Sequence, residues 1–194
     1  MARRSKTARI LDRLGSHSIV LVGMMGCGKS AIGAMLAKKL GIAFKDADAE
    51  IEQAAGRSVA DIFSGYGEAE FRRLEQKVIS RLLAEGPMVL ALGGGAFMNE
   101  VTRDAISQNG FSVWFNVDID TLHERVMRKP GKRPLLASGN PHETLHKLML
   151  QREPVYALAD LKVQSVPGTK THMRDHVMAE IDKHLTVANR EHDE

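Results

Sequence analysis

Residues 23–30, Gly-Met-Met-Gly-Cys-Gly-Lys-Ser, constrain this chain more than any other segment. They fit G-x-x-x-x-G-K-[ST] in full, and a chance match in a chain of this composition arises about 1% of the time. The context suits the motif. Ser18-Ile19-Val20-Leu21-Val22 is a short apolar run of the kind that forms a buried parallel strand. Ile32, Met35, Leu36 and Leu40 then recur at helical spacing, and Gly41 supplies a stop. In a strand–loop–helix of this type, the glycines let consecutive backbone N–H groups curl round phosphate oxygens, so that Gly26, Cys27, Gly28 and Ala31 are expected at the nucleotide, and the helix N-terminus adds positive potential. Lys29 is expected to reach the β- and γ-phosphates of a nucleoside triphosphate, and the Ser30 hydroxyl to ligate Mg²⁺. A rival pattern, Gly26-x-Gly28-x-x-Ala31 with Asp46 roughly 20 residues on, fits a dinucleotide fingerprint, but it leaves Lys29-Ser30 without a purpose.

The rest of the chain alternates apolar runs with helical patterns. Strand candidates follow at 42–46, 88–92, 111–117 and near Lys162-Val163. Residues 48–84 read as helical, broken near Gly56 and Gly65-Tyr66-Gly67. Thr121 with Glu124 reads as a capping box for a helix to about Arg128, and further helices are expected from about His142 to Arg152 and from Thr171 to Leu185. The fold class predicted is therefore α/β, a three-layer α/β/α arrangement round a central five-stranded parallel sheet. Residues 18–186 form one domain, preceded by a basic arm (1–17) expected to be disordered and dispensable for turnover, and followed by a tail (187–194).

Charge narrows the partners. The formal net charge is +3, yet residues 1–18 alone carry a surplus of four positive charges and leave the remainder at −1. A body charge of −1 and only 9 aromatics argue against a nucleic-acid-binding or switch protein, which calls for a basic face and stacking platforms. No run reaches the roughly 18–20 apolar residues of a membrane-spanning helix. One cysteine excludes an internal disulfide and suits a reducing cytosol. Neither nucleic acid nor membrane is expected as a partner.

The acceptor is harder to read. Asp46 and Asp48 follow the second strand, where one carboxylate can face Mg²⁺ through water and the other an acceptor hydroxyl; equally, Asp48 can simply cap the next helix. Gly93-Gly94-Gly95 exposes backbone where side chains would obstruct, or makes a plain turn.

Taken in order, GMMGCGKS, FKDADAEIE, GRSVADIF, GEAEFRRLE, ALGGG, RPLL and QREPVYALAD resemble the shikimate kinase family over roughly residues 18–165. The resemblance implies a P-loop, nucleoside-monophosphate-kinase-like fold, with a helical substrate-binding region at about 46–84 and a short lid at about 128–140. It implies ATP- and Mg²⁺-dependent phosphorylation of the 3-hydroxyl of shikimate, in aromatic amino-acid biosynthesis. By the same resemblance Asp48 binds and activates the hydroxyl, Asp46 organises Mg²⁺ through water, and Arg72 and Arg152 hold the carboxylate. Gly93, Gly94 and Gly95 contact the ring hydroxyls, and Arg133 of the lid meets the phosphates. Arg128, at the lid's base, is assigned to adenine. Ala31 follows Ser30, so the metal hydroxyl falls to Ser30. A cytoplasmic monomer is expected. The alternative is another small-metabolite kinase of gluconate-kinase type, which accounts for the phosphate loop but not for GGG with FRRLE and RPLL.

Overall fold

The computed structural model describes residues 5–128 and 140–191. Strands β1 (Ser18–Val22), β2 (Ala43–Asp46), β3 (Met88–Ala91), β4 (Gly110–Asn116) and β5 (Leu161–Gln164) form one five-stranded sheet in the order β2-β3-β1-β4-β5. Every pairing is parallel. Among the described residues eight helices accompany it: α1 (Lys6–Leu14), α2 (Lys29–Leu40), α3 (Ala47–Ala55), α4 (Val59–Ala84), α5 (Glu100–Asn109), α6 (Ile119–Met127), α7 (Pro141–Tyr156) and α8 (Lys170–Glu191). Helices α1, α2 and α8 pack together, while α4, α5 and a 3₁₀ turn at Ala96–Met98 form a second group. This is the three-layer α/β/α fold expected.

Strand β1 is buried along its whole length and lies between β3 and β4. The connection from β1 runs to β2 on one side of the sheet and that from β3 crosses to β4 on the other, so a crevice opens beyond the carboxyl ends of these two neighbouring strands, where α/β sheets bind ligands. The register brings three chain segments to that edge. Leu21 pairs with Ala91 and Val22 with Trp114, and the Leu92 N–H donates to the Leu21 carbonyl at 3.1 Å. Gly23 and Gly93 therefore leave the sheet side by side.

Several local expectations change. Residues 6–14 of the basic arm, expected to be disordered, form α1. Ile10 is 0% and Leu14 4% exposed, Arg9 Nε donates to Asp182 of α8 at 3.1 Å, and Arg13 donates to Thr186 Oγ1 at 2.6 Å. The amphipathic spacing of two apolar anchors, flanked by arginines that find a buried acid, ties this terminus down. At the other end, α8 continues through Glu191 into what was read as tail. Asp118, not Thr121, caps α6: its side chain accepts the Thr121 N–H at 2.8 Å. Helix α5 was not anticipated, and α7 runs past Arg152 to Tyr156 with Pro154 inside it. The break near Gly65–Gly67 is present as a kink in α4 at Gly67, whose φ of 80° suits glycine.

Candidate active site

The phosphate loop takes its shape from its neighbours as well as its glycines. Gly28 caps α2 at φ 103°, in the left-handed region, and a Cβ on Gly23 would lie 2.8 Å from the Phe115 carbonyl oxygen. Lys29 is buried, and its ammonium donates to the carbonyls of Gly23 at 2.7 Å and Met24 at 3.0 Å, with Cys27 Sγ at 3.5 Å. Ser30 Oγ donates to Asp46 Oδ2 at 2.5 Å.

That contact joins two segments sixteen residues apart and separates the roles of the two aspartates. Asp46, not Asp48, caps α3: its Oδ1 accepts the Asp48 N–H at 3.2 Å. Asp48 is left facing the cleft. Its surface is open to water on one side, while the protein around it displaces enough solvent to raise its pKa above the ordinary carboxylate range. Burial is the largest cause, the Asp46 charge adds to it, and Lys29 and Arg72 oppose it.

The glycine triplet is where the remaining groups meet. A Cβ on Gly93 would lie 2.8 Å from Asp48 Oδ1 and 3.1 Å from Glu75 Oε1; one on Gly95 would lie 2.5 Å from Arg72 Nη2. A Cβ on Gly94 would stand 3.3 Å from the Met25 backbone nitrogen and 3.4 Å from Arg152 Nη1. The absent side chains therefore make room for an aspartate, a glutamate and two arginines beside the phosphate loop.

The two arginines differ electrically. Arg72 Nη1 donates to Glu75 Oε2 at 2.7 Å, and its Nη2 donates to Glu68 Oε1 at 3.2 Å. Arg152 is 9% exposed and donates to the Gly94 carbonyl at 3.1 Å; among the described residues no carboxylate pairs with it. A buried guanidinium without a counter-ion is costly unless an anion arrives to share its field.

Glu75 escaped the sequence reading, although it lies inside the quoted GEAEFRRLE. It is 2% exposed, its Oε1 has no hydrogen-bond partner among the described residues, and burial raises its pKa while Arg72 opposes the shift. A signal was available: Arg72 and Glu75 stand at i, i+3 on one helix face.

On the other side of the phosphate loop lies a cavity of about 470 Å³, lined by Gly26, Cys27, Gly28, Ala31, Arg125, Arg128 and the Ser165–Lys170 turn. Its size is that of a small-molecule pocket. Arg128 is at its wall, exposed and paired with Glu124. Arg125, which the sequence reading passed over, reaches the Cys27 carbonyl at 3.4 Å. The turn after β5, with Gly168 at φ 123°, supplies the wall that the sequence left unassigned. Residues 129–139, the greater part of the lid expected at about 128–140, lie outside the described residues, and Arg133 with them.

A phosphate-wrapping loop between a nucleotide-sized cavity and a cleft holding an aspartate and two arginines defines a P-loop kinase acting on a small acceptor. Comparison with known proteins narrows the class. The family model described as shikimate kinase matches residues 25–186. The chain is 50% identical over 179 residues to a shikimate kinase of Brucella canis, covering 92% of this chain and 86% of that protein. It is 45% identical over 177 residues to that of Bartonella henselae, covering 91% and 84%. Among solved structures, the shikimate kinase from Acinetobacter baumannii in complex with shikimate superposes with a TM-score of 0.82 at 31% identity, over 93% of this chain and 98% of that one. A gluconokinase from Sinorhizobium meliloti, at 18% identity and TM-score 0.59 over 91% and 97%, shares the fold. The chain belongs to the shikimate kinase family. It is a phosphotransferase.

Proposed function

We propose that this enzyme transfers the γ-phosphoryl group of ATP to the 3-hydroxyl of shikimate, yielding shikimate 3-phosphate and ADP. The observation that carries the reading is the convergence of Asp48, Arg72 and Arg152 on Gly93–Gly95, one residue layer from the phosphate loop. Shikimate offers a carboxylate and three ring hydroxyls. Arg152, with no carboxylate of its own among the described residues, and Arg72 hold the carboxylate, and planar guanidinium forks do this bidentately. The bare backbone of the triplet admits the ring.

Asp48 then sits where the acceptor hydroxyl arrives. Its carboxylate takes the hydroxyl proton as the oxygen attacks the γ-phosphorus and the bond to the β-phosphate oxygen breaks. A pKa raised by burial makes Asp48 a better base than an ordinary aspartate, at the cost of narrowing the pH range in which it is ionised. Phosphate oxygens take over the hydrogen bonds that the Lys29 ammonium gives to Gly23 and Met24, so Lys29 neutralises the charge that builds on the transferring group. Arg133 of the lid is assigned to the same phosphates, and Arg125 and Arg128 to the wall of the nucleotide cavity.

The residues present suit Mg²⁺. Ser30 and Asp46 are hard oxygen donors in contact at 2.5 Å beside the loop. Ser30 and Asp46 would hold the ion on the protein's side, and phosphate oxygens and water would complete its shell. When bound, Mg²⁺ supplies charge neutralisation at the β- and γ-phosphates. No helix among the described residues is long and apolar enough to cross a membrane. A monomer in the cytoplasm is part of the proposal.

The test is ADP release by purified protein with Mg-ATP and, in turn, shikimate, quinate and gluconate. Turnover that depends on shikimate, with the phosphate located at O3 by phosphorus–proton correlation, is expected. Preference for gluconate, or no shikimate-dependent turnover, refutes the proposal.

A further inference from the structure

Tyr156 is the largest of the fully buried side chains, at 1% exposure, and ends α7 one turn beyond Arg152. Its ring stacks on Trp114 of β4, with centroids 6.0 Å apart. A phenylalanine would fill that space equally well. What tyrosine adds is a hydroxyl, and this hydroxyl donates to the carbonyl oxygen of Gly94. Arg152 Nη1 donates to the same oxygen at 3.1 Å. A carbonyl has two lone pairs, and here both are taken by side chains from a single helix.

The position of that carbonyl matters twice. The peptide linking Gly94 to Gly95 is planar and trans, so the direction of the Gly94 C=O sets the direction of the Gly95 N–H on the opposite side. Glycines on both sides of this peptide leave it without side chains to wedge it in place, and its φ/ψ angles are softer than those of any other residue type. Gly94 also abuts the Met25 nitrogen of the phosphate loop, and Gly95 abuts Arg72. A turn of this one peptide would disturb both arginines and the edge of the loop together. Burial holds the Tyr156 phenol well above its ordinary pKa, so it remains a neutral donor at any pH at which the protein works.

We propose that Tyr156 is a positioning residue for the acceptor site: its hydroxyl pins the Gly94–Gly95 peptide and, through the shared carbonyl, sets the Arg152 guanidinium to receive the acceptor's carboxylate. This role rests on the proposed function, since it concerns how shikimate is held. It acts through Arg152 and the triplet rather than by touching the reacting atoms.

The experiment is Tyr156→Phe in the full-length protein, with KM for shikimate, KM for ATP, kcat and thermal midpoint measured beside wild type. Loss of one buried hydrogen bond, about 1 kcal/mol, corresponds to a rise in the shikimate KM of several-fold to about tenfold. The KM for ATP and kcat should stay within about twofold. Leu145→Ala serves as the comparison: Leu145 is fully buried on the same helix, and its truncation lowers the midpoint while leaving the hydroxyl in place. Its shikimate KM should not move. If Tyr156→Phe lowers the midpoint but leaves the shikimate KM unchanged, the hydroxyl is structural only and the proposal is overturned. If Leu145→Ala raises that KM equally, the effect belongs to helix packing and the proposal is again overturned. Absence of shikimate turnover in wild type refutes the proposed function, and this role with it, and is distinguishable from either result.

Discussion

Gly95→Ala isolates the contribution of the glycine triplet. The backbone at Gly95 has φ −103°, which alanine adopts freely, so the substitution introduces no backbone strain. What it introduces is a methyl group 2.5 Å from Arg72 Nη2 and 2.9 Å from both Cζ and Nη1. Ordinary contact lies near 3.5 Å, so the guanidinium must retreat by about 1 Å. Arg72 is a flexible side chain with acids at 2.7 and 3.2 Å, so the fold absorbs the shift, but the position facing an incoming carboxylate is lost. A hydrogen bond to a charged group is worth about 1.5–3 kcal/mol, which predicts a shikimate KM raised by about tenfold to a hundredfold. The thermal midpoint should change little. Steady-state ADP release at saturating ATP gives the KM, and the wild-type KM for ATP is the internal reference. Gly93→Ala should differ in kind. Its methyl would meet Asp48 Oδ1 at 2.8 Å, so it should depress kcat instead. A shikimate KM for Gly95→Ala within about twofold of wild type would show that Arg72 does not hold the carboxylate where the triplet places it.

Asp48→Asn should lower kcat by about 10²–10⁴-fold while shikimate still binds, as titration calorimetry would show; near-normal kcat would remove Asp48 as the base. The same residue sets a pH signature. Asp48 works ionised and burial raises its pKa, so kcat/KM should fall, as pH falls, at a point above the ordinary carboxylate range near 4. An acid limb at or below that range contradicts the environment described. Deleting residues 2–14 removes Ile10 and Leu14, each worth about 1.5–3 kcal/mol when buried, and should lower the melting midpoint by at least about 5 °C; an unchanged midpoint would show that α1 is not docked. In that same contact, the Arg9 hydrogen bond holds the Asp182 pKa below its ordinary value, so the stabilisation is present above the unfolded aspartate's pKa and is lost as pH falls through the lowered one. The Asp182→Asn penalty should therefore shrink in acid.

Much of the fold was legible because its signals are local. The runs at 18–22, 88–92 and 111–117 are buried on both sides and read as such without knowing what covers them. The helix pattern after Gly28 and the break at Gly67 follow from residues adjacent in the chain. The readings that failed turned on a distant partner, on a competing cap close by, or on burial that the local pattern does not reveal. The basic arm looked like solvated charge because Asp182, its partner, stands 173 residues away from Arg9. Thr121 with Glu124 satisfied a capping pattern, but Asp118 stood one turn earlier with a carboxylate in reach. Glu75 looked like one more helix acid until burial set it against Arg72 and Gly93.

The phosphate loop is the part of this protein that the sequence by itself determined. Its backbone path is written in eight consecutive residues, with glycines where φ is positive and a lysine and serine at the helix start, while Phe115 and Val126 only bound the space beside Gly23 and Gly26. The acceptor site is different in kind. Asp48, Arg72, Gly93–Gly95, and the α7 pair Arg152 and Tyr156 come from four separate segments. Only the sheet register, which sets Gly23 beside Gly93, and the packing of α4 and α7 over that edge bring them within hydrogen-bond reach. Tertiary structure also decided which aspartate became the cap and which was left facing the cleft. Spacing allowed either; the Ser30–Asp46 hydrogen bond, made across the strand ends, selected one.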